Sequence, residues 1–129
     1  MVVAVTCVAV LGLVLFVLGL RVSVLRGRSR TLFGSPDDPA NPLFRAVRAH
    51  ANAAEYVPML AVLMLLVAVR SPSWWTQALC VAAVGVRLLH AVAISRPPRR
   101  STPAADRLVG AMGTYAVGIA LASTALASL

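Results

Sequence analysis

The chain has 129 residues, of which 60% are hydrophobic and 12% are charged, whereas soluble domains are roughly half apolar and a quarter charged. A soluble domain of this size could not bury so much apolar surface, because small domains keep a large share of their surface exposed. The composition therefore excludes a soluble enzyme or a nucleic-acid-binding domain, in spite of a net charge of +8. It predicts one integral membrane domain over residues 1–129, with no nucleic-acid partner.

A helix that crosses the bilayer needs ~20 mostly apolar residues, and four stretches meet this requirement. The second follows Asn41 and Pro42, a capping residue and a proline whose missing N–H costs nothing in the first helical turn. The third begins at Trp74 and Trp75, which suit the membrane interface. The predicted helices span residues 2–23, 42–69, 74–95 and 105–129. Because no stretch alternates as a strand does, the sequence predicts an all-α bundle of four transmembrane helices.

Arginines are concentrated in two of the three predicted loops, the one after the first helix and the one before the fourth. The turn between the second and third helices carries only Arg70. Basic loops remain in the cytoplasm. Both termini are therefore predicted to lie on the opposite side, in an N-out, C-out arrangement.

Ionisable residues inside a span are costly and usually face a bundle interior or a wet cavity. On the second helix, Arg45, Arg48, Asn52 and Glu55 fall within a stripe ~80° wide, at about 100° per residue. His50 lies outside this stripe. The spacing predicts one polar face on the second helix.

The third helix carries a second polar stripe, with Arg87 and His90 one turn apart. Glu55 lies 15 residues from Arg70 and His90 lies 15 residues from Trp75, which predicts the same depth, about 22 Å along each helix from the outer turn. Two helices joined by a short turn are neighbours. The two stripes are therefore predicted to line one polar pocket that opens to the cytoplasm.

A purely structural arrangement fits the same residues. Glu55 would neutralise Arg48 or Arg87 inside the bundle, and Asn52 would form a hydrogen bond between helices. The spacing alone leaves both interpretations open.

The remaining polar or reactive positions within the spans are predicted to be structural. Cys7 and Cys80 lie in apolar runs without metal-ligand spacing, so no metal site is predicted. Small residues recur every fourth position of the last helix, a pattern typical of close helix packing: Gly110, Thr114 and Gly118.

Two segments together resemble a known family. The run from Arg45 to Pro58, RAVRAHANAAEYVP, resembles the second-helix signature of the MAPEG family, the membrane-associated proteins in eicosanoid and glutathione metabolism. The run from Gly85 to Ala91, GVRLLHA, resembles that family's third-helix signature. Four predicted spans and a basic first loop extend the likeness over nearly the whole chain, which is nearest to the small bacterial members.

The resemblance implies a homotrimer, with glutathione or another low-molecular-weight thiol as co-substrate in clefts between protomers on the cytoplasmic side. By position, it implies that the thiol is held by five residues: Arg48, Asn52, Glu55, Arg87 and His90. It adds a first-loop cation, Arg26 or Arg28.

The resemblance also implies that Arg100 and Ser101, at the entry to the fourth helix, place and stabilise the thiolate. The chain departs from the family pattern at Ile94, where a tyrosine is frequent, and at Ala51, where the eicosanoid members carry a basic residue.

These observations lead to three hypotheses about function. The first is a glutathione transferase or peroxidase that acts on lipophilic small molecules, in a bacterial inner (plasma) membrane. The second is a catalytically silent bundle that binds lipid or a partner protein. The third is a proton-coupled exporter of lipophilic cations, which the arginines beside Glu55 disfavour because they would repel such a substrate.

Overall fold

The computed structural model of the protein describes residues 1–97 and 105–129. Four α-helices account for most of this part of the chain: α1 (Val2–Ser29), α2 (Pro42–Arg70), α3 (Trp74–Ser95) and α4 (Ala105–Ala127). Each helix is long and apolar enough to cross a membrane. The predicted all-α fold with four spans is thus confirmed.

α1 extends six residues beyond its predicted end at residue 23. The prediction was wrong because arginines were treated as loop residues, whereas cations in the last turn of a helix interact favourably with its dipole. Arg26 and Arg28 occupy that turn. The helix ends at Arg30, whose left-handed conformation (φ 53°) lets its N–H bond the carbonyls of Arg26 and Gly27.

Local side-chain caps begin the next two helices. The Asn41 side chain accepts a hydrogen bond of 2.8 Å from the Leu43 N–H at the start of α2. Ser73 and Thr76 form a reciprocal capping box at the start of α3. α2 therefore begins where its capping residue predicts, and α3 begins at Trp74, as the interfacial tryptophans predict.

α2 and α3 form the centre of the bundle, with α1 and α4 on its flanks. α1 packs against α2 and α3, and α4 packs against the same two helices, but within the described residues no contact joins α1 to α4. Small side chains line the buried face of α2, among them Ala46, Ala49 and Ala53. They allow neighbouring helices to approach closely.

The contact between α3 and α4 is close enough to require glycine. A Cβ atom added to Gly110 would lie 2.6 Å from the Cβ of His90, and one added to Gly113 would lie 2.7 Å from Cγ1 of Val86. Thr114, one turn after Gly110, is buried in the same contact. Close packing on this face of α4 is confirmed, and it fixes the height of α4 beside the polar residues of α3.

Candidate functional site

The centre of the polar region is Arg87 on α3, which is only 2% exposed. Its Nη2 donates to Oδ1 and to the backbone carbonyl of Asn52 on α2, at 2.8 and 3.2 Å. Its Nη1 donates to Oγ1 of Thr114 on α4 at 3.4 Å. These contacts join three helices and give acceptors to both terminal nitrogens of a guanidinium that is costly to bury without them. Its Nε is buried without a hydrogen-bond partner in the described structure.

Two tyrosines extend this cluster, and sequence reasoning missed both. The guanidinium carbon of Arg87 lies 5.3 Å from the ring centre of Tyr56, a cation–π distance. The Tyr56 hydroxyl shares a hydrogen bond of 3.2 Å with that of Tyr115 on α4. Tyr56 follows Glu55 within the second-helix signature, so its position on the helix could have been predicted from the sequence. No sequence pattern pointed to Tyr115. The pair joins α2 to α4 through a hydrogen bond.

His90 lies one turn from Arg87 but has a different environment. It is buried against Gly110, and its Nδ1 donates to the backbone carbonyl of Arg107 at 3.1 Å. The Arg107 side chain in turn donates from Nε to the carbonyl of Ala93 at 3.2 Å. The bond to Ala93 satisfies one of the last carbonyls of α3, which have no partner within that helix. His90 therefore fixes the α3–α4 contact within the protomer.

Arg45 is buried at the first turn of α2. Its Nη1 donates to the carbonyls of Pro39 and Ala40, and its Nε donates to the carbonyl of Ser95. This arginine ties the first loop to the end of α3. Arg45 was predicted to belong to the polar face of the second helix, but in the structure it forms hydrogen bonds within the fold.

Arg48 and Glu55 are exposed on the surface of the protomer, on either side of Asn52. The two polar stripes meet where Asn52 and Arg87 form a direct hydrogen bond, whereas Arg48 and Glu55 lie on the exposed side of α2 and do not face α3. Alanines occupy the face of α2 that packs in the core, and the polar stripe is ~80° wide. Its near edge meets α3, while its far edge, with Arg48 and Glu55, points away from the protomer.

The neutralisation of Glu55 inside the bundle is also wrong. Among the described residues, the ion pairs include neither Glu55 nor Arg48, and the pair that forms joins Arg96 to Asp106 at 3.8 Å. The accompanying idea of a hydrogen bond between helices is right for Asn52.

A groove between α1 and α2 contains two residues that the sequence analysis did not connect. Arg26 and His50 both line this groove, which has a volume of about 580 Å³. Nε of Arg26 and Nδ1 of His50 are buried without hydrogen-bond partners in the described structure. The other nitrogens of Arg26 donate to the carbonyls of Leu32 and Gly34 in the first loop. The sequence already showed that His50 lies outside the polar stripe of α2. This position could have indicated that His50 faces a different helix, which is α1.

The other predicted site residues lie elsewhere. Arg28, in the last turn of α1, is exposed and does not line the groove that holds Arg26. Both arginines lie in α1, whereas the sequence predicted them to lie in the loop after the first helix. Arg100 and Ser101 lie outside the described residues. Ile94 is partly buried against the core.

Comparison with known proteins gives the family of the chain. No curated protein shows a significant match to the sequence. Within the described residues, no group of His, Cys, Asp or Glu side chains is placed to hold a metal ion. The family model for MAPEG matches residues 4–127. This match covers nearly the whole chain, and the protein therefore belongs to the MAPEG family, which includes glutathione transferases and related membrane proteins.

Proposed function

We propose that this protein is a membrane-bound thiol transferase or peroxidase. It uses glutathione or another low-molecular-weight thiol against lipophilic electrophiles at the cytoplasmic side of a bacterial inner membrane. Membership of the MAPEG family supports the class of co-substrate.

The observation that carries the proposal is the exposure of Arg48 and Glu55 on one face of a spanning helix. They lie seven residues apart, roughly 10 Å along α2, with Asn52 between them. Charged groups at membrane depth are costly when they face lipid. A polar ligand with charges of both signs would compensate this cost.

A homotrimer provides the cover that such a ligand needs. In a closed ring, the same face of α2 on every protomer meets a neighbour. The thiol would then lie between protomers, with Arg48 and Glu55 exposed in a single protomer and enclosed in the assembly. The excess of arginine in the loops supports a cytoplasmic opening.

The charges of glutathione match this face. The tripeptide carries two carboxylates and one ammonium group. Glu55 would accept the ammonium, and Arg48 would bind one carboxylate with its two-pronged guanidinium. Arg26 and His50 line a groove on a different face of α2, so a neighbouring protomer would present this α1–α2 groove to the other carboxylate. Buried Arg87 would act as a positioning residue, because its hydrogen bond holds Asn52 in place.

The chemical step begins with loss of the thiol proton. A free thiol has a pKa of about 8.5, which nearby cations lower. We assign this role to Arg100, and the Ser101 hydroxyl would donate a hydrogen bond to the thiolate. In a transferase reaction, the thiolate attacks an electrophilic carbon, forms the C–S bond and displaces the leaving group with its electron pair. In a peroxidase reaction, two thiols reduce one hydroperoxide, giving a disulfide, an alcohol and water.

Calorimetric titration of the purified oligomer with glutathione tests this proposal. Arg48→Ala and Glu55→Ala should each weaken binding about tenfold or more, because each removes a charge-assisted hydrogen bond. Arg70→Ala, which removes an arginine from the other end of the same helix, is the matched control and should bind as the wild type does. Turnover of a chlorodinitrobenzene should fall with binding. Absence of binding by the wild type, or equal binding by all variants, would refute the proposal.

A further inference from the structure

A second groove runs between α1 and α3 and does not include the proposed thiol site. Its volume is about 520 Å³, within the range of roughly 300–1,000 Å³ that is typical of ligand pockets. Its walls are almost wholly aliphatic: Val10, Leu13, Val17, Leu88 and Val92. Leu13 and Val17 are 66% and 62% exposed, so these walls face outward from the protomer.

Charge in this groove is confined to one end. Arg21 and Arg96 line it at the end where α3 finishes, together with Ser95. Arg21 makes no hydrogen bond or ion pair with any described residue. Arg96 has one long contact, of 3.8 Å, with Asp106. Two guanidiniums therefore flank the polar end of an apolar channel.

The length of the groove matches one leaflet of a bilayer. Val10 lies 11 residues before Arg21 on α1, roughly 16 Å along the helix axis. Half of a hydrocarbon core of ~30 Å is about 15 Å. The aliphatic part of the groove is thus about as long as the hydrocarbon layer of one leaflet is thick.

We propose that the α1–α3 groove is a binding site for one anionic phospholipid. One acyl chain lies along the aliphatic walls, and the headgroup phosphate lies between Arg21 and Arg96. Arginine is suited to phosphate because its guanidinium binds two oxygens at once. The aliphatic walls account for the chain, and the paired arginines account for the preference for a negative headgroup.

A second copy of this chain would complement the groove poorly. The protein has twelve arginines and only four acidic residues. Two acidic residues lie within the predicted spans: Glu55 is assigned to the thiol site, and Asp106 already contacts Arg96 of the same chain. A neighbouring copy would therefore bring more positive than negative charge to Arg21 and Arg96.

Native mass spectrometry of the intact oligomer, released from detergent after incubation with defined lipids, tests the headgroup. Phosphatidylglycerol should be retained better than phosphatidylcholine with the same chains. Arg21→Gln and Arg96→Gln should each lower this preference roughly fivefold. Arg70→Gln, with the same loss of charge at the opposite end of the bundle, should leave the preference within twofold. Equal retention of the two lipids, or an equal loss in the Arg70 variant, would overturn the proposal.

Labelling of a single thiol tests the chain and the competing occupants. In a Cys7→Ala, Cys80→Ala background, Val17→Cys should react with a lipophilic maleimide in delipidated protein and become protected when phosphatidylglycerol is added. Inorganic phosphate or a short-chain phosphatidylglycerol should not protect it. Protection by phosphate alone would show an anion site without a chain site. Protection without any lipid would show that a second copy covers the groove, and either result would overturn the proposal.

Discussion

Arg87 on α3 donates a hydrogen bond of 2.8 Å to the side-chain oxygen of Asn52 on α2. The bond joins the two central helices at the point where the polar face of α2 meets the core. Asn52 thereby has one side bound to the protomer, while Arg48 and Glu55 on the same face are exposed. The proposed function depends on this difference between the two edges of one polar stripe.

Replacement of Asn52 by alanine is expected to destabilise the protein by about 1–3 kcal/mol, because it removes an acceptor from a buried charged donor. Gln77→Ala, an exposed position on α3, is the control and should change stability by less than about 0.5 kcal/mol. Thermal unfolding in detergent, monitored by circular dichroism, measures both. If the two variants unfold at the same temperature, the hydrogen bond contributes nothing to the α2–α3 contact.

Gly110 and Gly118 provide a matched pair on α4. Gly110→Ala should destabilise the protein by roughly 1–3 kcal/mol, because the new Cβ would lie 2.6 Å from the Cβ of His90 and force the helices apart. Gly118→Ala meets only Leu60, at 3.8 Å. It should stabilise the protein by about 0.4–1 kcal/mol through the lower entropy of the unfolded chain. Urea titrations that gave the two variants the same sign would contradict the packing described here.

Arg26 and Arg28 lie in the same turn of α1, but Arg26 lines the α1–α2 groove and Arg28 is exposed outside it. Arg26→Ala should weaken glutathione binding about tenfold, because it removes a cation from the α1–α2 groove. Arg28→Ala should bind within twofold of the wild type, since Arg28 lies outside that groove. Equilibrium dialysis with radiolabelled glutathione distinguishes the variants. Equal losses would indicate a general effect of loop charge and not a site at Arg26.

The fold was predictable because its determinants are local. Apolar length predicted the four spans, Asn41 predicted the start of α2, and Trp74 predicted the start of α3. The end of α1 was not predictable from hydropathy, because Arg26 and Arg28 are compatible with both a loop and the last turn of a helix. The capping conformation of Arg30 decided between them.

The candidate site was predictable only in part, for a geometric reason. Helical spacing shows that Arg48, Asn52 and Glu55 share a face, but it does not show which neighbour that face meets. The orientation of α2 depends on the buried alanines of the adjoining face. These alanines could not be recognised as core residues from the sequence, because alanine is frequent throughout this helix. The approach of Tyr115 to Tyr56 likewise depends on the height of α4, which Gly110 and His90 set.

The proposed site depends above all on the contact between Glu55 and the ammonium group of glutathione. The most direct measurement compares calorimetric binding of glutathione and of N-acetyl-glutathione, which lacks that charge, to the wild type and to Glu55→Gln. The wild type should prefer glutathione by about tenfold, and the variant should bind the two ligands equally. If Glu55→Gln keeps the full preference for glutathione, Glu55 does not contact the ligand and the proposed site is wrong.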